Sequence, residues 1–236
     1  MSSDKITVSD SVRNTRRVLV LDVGGTHVKA LASSESEAVK FDSGPSLTPT
    51  EMVNGVKDAT SHWEYDVVAI GFPAPVIHNR ILREPTNLGP GWMGFDFAEA
   101  FGKPVRLVND AMMQALGSYQ GGRMLFLGLG TGMGAAMIDD GYSIPLEIAH
   151  LSYKKATFED YVGAAGLKRA GRDKWEKRVH RIATELCAAF VCEYVVLGGG
   201  NSKQLKTLPA IARLGDNVNA FAGGFRLWDE GPPPVL

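Results

Sequence analysis

Val18-Leu19-Val20-Leu21-Asp22-Val23-Gly24-Gly25-Thr26 is a run of strand-forming residues that stops at an aspartate and a glycine pair. Its unbroken apolar start predicts a buried strand over Val18 to Asp22, and His27 to Ala32 reads as its hairpin partner. Glycines at such a turn let backbone N–H groups approach an oxyanion, because no Cβ stands in the way. Two more glycine strings follow, Gly128-Leu129-Gly130-Thr131-Gly132-Met133-Gly134 and Gly198-Gly199-Gly200-Asn201, and Asn109-Asp110 stands between the first two. Any one of these loops would serve an ordinary turn equally well. Three in one chain point to a phosphotransferase.

Outward from the first loop, strands and helices alternate. Thr48-Pro49-Thr50-Glu51 combines a capping box with proline at the first helical position, which predicts a helix to about Thr60. Asp66 to Phe72 reads as a strand, and Pro73 to Gly94, rich in Pro, Gly and Asn, as an extended loop that lines something. A short helix over Asp96 to Phe101 stops at Gly102 and Pro104. Val105 to Val108 is again a strand and Ala111 to Leu116 starts a helix, so Asp110 falls at a strand-to-helix junction, where open α/β sheets meet their ligands. Met124 to Leu129 leads into the second glycine loop. Lys174 to Phe190 reads as an amphipathic helix, and Glu193 to Leu197 as a strand ending at the third loop.

Gly130-x-Gly132-x-x-Ala135 superficially fits a dinucleotide fingerprint, which requires a helix after the glycines. Ala135-Ala136-Met137-Ile138 before Asp139-Asp140-Gly141 reads instead as a second strand, so the loop is expected to turn a β-hairpin. No Gly-x-x-x-x-Gly-Lys-Ser/Thr string is present, which removes a P-loop.

Composition narrows the partners. The chain has 236 residues, 44% apolar and 22% charged, as expected of a soluble globular protein with room for two modest lobes. A formal net charge of -1 gives no global drive toward nucleic acid or anionic membrane, and neither is expected as a partner. Cys187 and Cys192 match neither a zinc ribbon nor a Cys-x-x-Cys redox pair, and Met1 to Asn14 lacks the apolar core of a signal peptide. A reduced, cytoplasmic setting is expected. Between Lys168 and Arg181 seven Lys and Arg face only Asp173 and Glu176, a run that reads as a solvated helix face or as a polyanion surface.

Taken in order, Asp22-x-Gly-Gly-Thr26, Pro85-Thr86-Asn87-Leu88, Asn109-Asp110-Ala111, Gly128-x-Gly-Thr-Gly132, Glu147-x-x-His150 and Gly198-Gly-Gly200 resemble the motifs of the ROK sugar kinases, and within them the polyphosphate/ATP glucokinase branch. The resemblance runs from about Arg17 to Trp228 and is specific as an ordered set. It implies a two-lobed actin-like ATPase (ribonuclease H-like) α/β fold with a central cleft. The expected division is a flexible extension over 1–16, a first lobe over 17–108, a second over 109–228 and a flexible tail over 229–236.

The resemblance also implies roles. Asp110 matches the general base, although an aspartate at this junction also suits a helix N-cap. Asp22 would orient Mg²⁺ through water, with the amides of Gly24, Gly25 and Thr26 facing phosphate. Gly130, Thr131 and Gly132 would form the opposite wall, and Gly198, Gly199 and Gly200 would lie against adenosine or a distal polyphosphate chain. Asn87, Asn109, Glu147, His150 and Glu159 match sugar contacts, Glu159 fitting an exposed helix-start charge equally well.

Three departures from the family pattern stand out: Ala149 replaces a glycine, Met112 follows Asn109-Asp110-Ala111, and Leu151 to Tyr161 holds no cysteine where the family carries a zinc module. No zinc is therefore expected. The implied activity is transfer of a phosphoryl group from ATP or polyphosphate to the 6-hydroxyl of glucose or a related hexose. A sugar-binding regulator of the same fold, or a kinase for another hexose or an N-acetyl sugar, remains the alternative. A homodimer is compatible with either.

Overall fold

The computed structural model describes residues 16–216 and 218–229. Apart from Arg16 and Asp229, the expected extension and tail lie outside the described residues.

The strand that opens the fold explains its layering. In β1 (Val18–Val23), Leu19 and Leu21 enter one core while Val18 and Val20 enter another, because successive side chains point to opposite faces. An antiparallel hairpin joins β1 to β2 (His27–Ala32), and β3 (Val39–Asp42) extends it. Helix α1 (Pro49–Ala59) starts at Thr48, whose side chain and Glu51 form the expected capping box. Next come β4 (Val67–Phe72), the small hairpin β5 (Val76–Ile77) and β6 (Arg80–Ile81), helix α2 (Phe97–Phe101) and β7 (Val105–Asn109). The first sheet has the order β3-β2-β1-β4-β7.

Helix α3 (Asp110–Ser118) leads to β8 (Arg123–Leu129), β9 (Met133–Asp139) and β10 (Tyr142–Leu146). The β8–β9 pair is antiparallel, so the second glycine loop turns a hairpin as its sequence requires. Then follow β11 (Ser152–Tyr153), β12 (Ala156–Thr157), α4 (Phe158–Val162), α5 (Ala164–Ala170), α6 (Arg172–Ala189), β13 (Tyr194–Gly198), a 3₁₀ turn over Gly200–Gln204, β14 (Ala212–Leu214) and α7 (Asn219–Arg226). The second sheet has the order β10-β9-β8-β13-β14.

Three cores separate the layers. Leu19, Leu21 and Ile70 pack with Met52 and Val56 of α1 and Phe97 of α2. Val18, Val20, Met124 and Phe126 pack with Met112 and Met113 of α3 and with Leu227 and Trp228, which joins the two sheets through a shared helical layer. Leu125, Leu127 and Val195 pack with Trp175, Val179 and Ile182 of α6. Helix α7 crosses back to touch β1, β4 and α3. Gly223 makes that crossing feasible, since a side chain there would collide with the Met113 carbonyl.

Candidate active site

Strand direction gathers the site. β1, β4 and β7 run parallel, with Asp22 opposite Gly71 and Phe72 opposite Asn109. Asp22 and Asn109-Asp110 therefore leave the first sheet at one carboxyl edge, the edge where α/β folds meet ligands. β8 and β13 are also parallel, with Gly128 opposite Gly198, so the second and third glycine loops emerge side by side.

At the first loop, Lys29 Nζ lies 3.2 Å from Asp22 Oδ2. The hairpin register places these two residues directly across from each other. The Gly24 N–H, expected at phosphate, closes the turn on the His27 carbonyl at 3.0 Å, a geometric reason to leave the donor role to Gly25 and Thr26. Ser43 braces the loop from β3's end: its hydroxyl donates to the Gly24 carbonyl at 2.5 Å and its N–H to the Thr26 carbonyl at 2.9 Å. Asn87 presses on Gly25, where any Cβ would stand 2.8 Å from the Asn87 Cβ. Glycine is thus a packing requirement there, and the loop over 84–93 and the first glycine loop are in direct contact.

At the strand-to-helix junction Asn109 is the N-cap of α3, its Oδ1 accepting the Ala111 N–H at 2.8 Å. Asn109 Nδ2 donates to the Ala74 carbonyl at 3.2 Å. The capping alternative for Asp110 is therefore taken by its neighbour. Asp110 is only partly exposed, and loss of hydration pushes its carboxyl up to about 7, reinforced by the negative charges of Asp22 and, more weakly, Glu147. The Ala111 N–H, 2.7 Å from Asp110 Oδ1, works in the opposite direction.

Across the cleft, Ala164 N–H donates to the Gly130 and Thr131 carbonyls at 3.0 and 3.1 Å, and Asn201 Nδ2 donates to the Gly130 carbonyl at 2.7 Å. The second loop is therefore tied to α5 and to the third loop, in which Gly199 precedes the 3₁₀ turn begun by Gly200. Glu159 reaches back from α4 until its Oε2 occupies the space beside Gly132 that a side chain would fill. Its Oε1 lies 3.4 Å from His150 Nδ1. Glu147, half exposed, faces Arg83 from the first sheet's side at 3.9 Å. Of the expected sugar contacts, Asn87 thus sits on the first glycine loop, Asn109 beside Asp110, Glu147 within the electrostatic reach of Asp110, and the His150–Glu159 pair against the second glycine loop.

Lys29, Ser43, Arg83, Glu84 and Asn201 carry contacts that reading the sequence did not assign. Only Lys29 had a readable signal, its register opposite Asp22 across a short turn. Among the described residues no three His, Cys, Asp or Glu side chains converge as a metal-binding set. Cys187 Sγ donates to the Cys192 carbonyl at 3.2 Å, and burial pushes the Cys192 thiol up to about 11. A groove of about 680 Å³ beside β7, lined by residues such as His78, Arg80, Trp92 and Asp96, includes none of the expected catalytic, phosphate or sugar residues. No helix among the described residues is long and apolar enough to cross a membrane.

Two sheets with a shared helical layer, and loops meeting at their carboxyl edges, define the actin-like ATPase fold. The chain belongs to the ROK family, whose sequence profile matches residues 18–144. It is similar to a polyphosphate glucokinase of Mycobacterium tuberculosis, 26% identical over 208 residues that cover 78% of this chain and 77% of the relative. In structure it is similar to the inorganic polyphosphate/ATP-glucomannokinase of Arthrobacter sp. strain KM, with TM-score 0.76, 22% identity and coverage of 89% and 97% of the two chains. It is similar also to a ROK family glucokinase from Streptomyces griseus solved with glucose and AMPPNP, with TM-score 0.70, 16% identity and coverage of 89% and 98%.

Proposed function

We propose that this protein is a hexose kinase that transfers a phosphoryl group from ATP or polyphosphate to the 6-hydroxyl of glucose or a closely related hexose. The observation that carries the reading is Asp110, which leaves the first sheet at the same carboxyl edge as Asp22 and whose carboxyl is pushed up to about 7 by burial and by the charges of Asp22 and Glu147. A group with that affinity for protons can accept one from an attacking hydroxyl near neutral pH. A sugar-binding regulator would have no use for it.

In this reading the 6-hydroxyl oxygen attacks the donor's terminal phosphorus while Asp110 takes its proton, and the bond from that phosphorus to its bridging oxygen breaks, releasing ADP or a polyphosphate one unit shorter. Gly25, Thr26 and the second loop surround the phosphoryl oxygens, and Asn87, Asn109, Glu147, His150 and Glu159 hold the remaining hydroxyls by hydrogen bonds. Asp22, whose negative charge bears on Asp110, would hold Mg²⁺ through water, and the ion would supply positive charge at the donor phosphates. When bound it would neutralise charge on the transferred group. Lys29, paired with Asp22, holds that carboxylate toward the loop.

The test is a coupled assay of purified protein with glucose, mannose, fructose and N-acetyl sugars against ATP and polyphosphate, with and without Mg²⁺. Hexose-6-phosphate formation with at least one donor is the expected outcome. Hexose binding by calorimetry without turnover on either donor would replace the kinase by the regulator.

A further inference from the structure

The segment between β6 and α2 has almost no regular structure, yet it delivers Asn87 to the first phosphate loop. Its far side is anchored in the outer core. Leu88 is buried there, the Gly89 N–H donates to the Leu47 carbonyl at 3.0 Å, and the indole of fully buried Trp92 donates to the Gly89 carbonyl at 2.6 Å. On the near side the Leu82 N–H donates to the Pro75 carbonyl at 3.0 Å and Pro85 is buried, and Glu84 ties this stretch across to the far side. Its Oε2 accepts the Trp92 N–H at 3.2 Å and its Oε1 the Met93 N–H at 3.1 Å.

One carboxylate therefore closes the neck of the loop by two charge-assisted hydrogen bonds to consecutive amides. An expected sugar contact stands on one side of it, and the partner of another such contact, Glu147, stands on the other. Arg83, immediately before, faces Glu147, just past β10, at 3.9 Å, and Asn87, beyond it, rests on Gly25. Glu84 itself is exposed, and its carboxylate is occupied by those amides rather than turned to the cleft.

We infer that Glu84 is a positioning residue of the hexose site, setting sugar affinity by holding Asn87 and Arg83 in register without touching the sugar. The inference rests on the hexose-kinase reading of the cleft. With Glu84 gone, Leu88, Gly89 and Trp92 still fix the far side, so the fold persists while the stretch from Arg83 to Asn87 gains freedom. That freedom has to be removed each time a sugar binds, which weakens binding of the sugar more than that of the donor, whose loop Asn87 touches only at Gly25.

Glu84→Ala is expected to raise the KM for the hexose roughly tenfold, with kcat and the donor KM each within about twofold. Glu84→Gln, which keeps a single amide-oxygen acceptor, should fall between Ala and wild type. Glu84→Asp, too short to span both amides, should resemble Ala. Circular dichroism melts of each variant report folding, and if Ala unfolds, the Gln and Asp variants carry the comparison. Calorimetric titration with hexose separates the two levels of failure. Wild type that binds no hexose sinks the hexose site itself, whereas wild type and variants that bind hexose equally, or variants that lose donor affinity in the same proportion, overturn the role of Glu84.

Discussion

Asp110 is where the electrostatics of the cleft converge, and it carries two expectations. Asp110→Asn keeps the shape but cannot accept a proton, so kcat should fall about 10²–10⁴-fold while sugar binding and folding persist. Turnover near that of wild type would end the assignment. The second expectation is a stability effect. In the folded protein the carboxyl is pushed from its ordinary 3.8 to about 7, so the folded state binds the proton more tightly than the unfolded chain. Its contribution to stability is full below 3.8 and lost as pH rises through about 7. The Asn variant lacks that loss, so its melting temperature relative to wild type should climb between those two pH values and then level off. A difference that stays flat with pH would mean that the carboxyl titrates normally. At this scale the sequence was legible in part: the Asn109-Asp110 pair at a strand-to-helix junction is visible as a string. Which of the two caps the helix is decided by χ angles and by the Ala74 carbonyl, a residue far away in sequence.

At the scale of elements, Glu159 lies against Gly132 in the turn between β8 and β9 while touching His150, so in the proposed kinase this contact would tie the donor and sugar sides together. Gly132→Ala pushes only the far end of a flexible side chain, so stability should change by about 1 kcal/mol or less. The displaced carboxylate should leave His150, raising the KM for the hexose about tenfold, as Glu159→Gln should. If Gly132→Ala leaves hexose KM untouched, the two sides are independent. Elements with strong local signals were readable: the capping box of α1, the αL Gly102 that ends α2, and the β8–β9 hairpin. Others were not. β3 is a short edge strand with no fully buried residue, and β10 carries Pro145, acceptable because that strand lies at a sheet edge. Helix α7 contains Gly223 and Gly224, which argue against a helix locally and are explained only by how closely α7 packs on Met113 and Val20.

For the molecule as a whole the open question is the donor, and it turns on how a nearly neutral chain distributes its charge. The basic run beginning at Lys168 splits in the folded protein. Arg169 donates to the Asp160 carbonyl, Arg172 to the Gln204 carbonyl, and Arg178 stacks over Tyr161 at 5.1 Å, so these three hold structure. Lys174, Lys177 and Arg181 are exposed at i, i+3 and i+7, a single stripe along α6, with Arg181 also paired to Glu185 at 2.7 Å. ATP needs no such stripe. Polyphosphate, a long polyanion that must leave the cleft across the surface, would be held on it by Coulomb attraction that fades over about 8 Å at physiological salt. If the stripe serves that donor, Lys174→Glu with Lys177→Glu should raise the KM for long-chain polyphosphate several-fold and leave the KM for ATP within about twofold. Added salt should do the same to the wild type, since charges exposed to solvent are screened far more than the buried contacts around Asp110. The two variants spare Arg169, Arg172 and Arg178, so a loss of activity with both donors cannot be blamed on broken structural contacts at those arginines. Equal effects on both donors, or polyphosphate kinetics indifferent to salt and to the double substitution, would return the stripe to an ordinary solvated helix face.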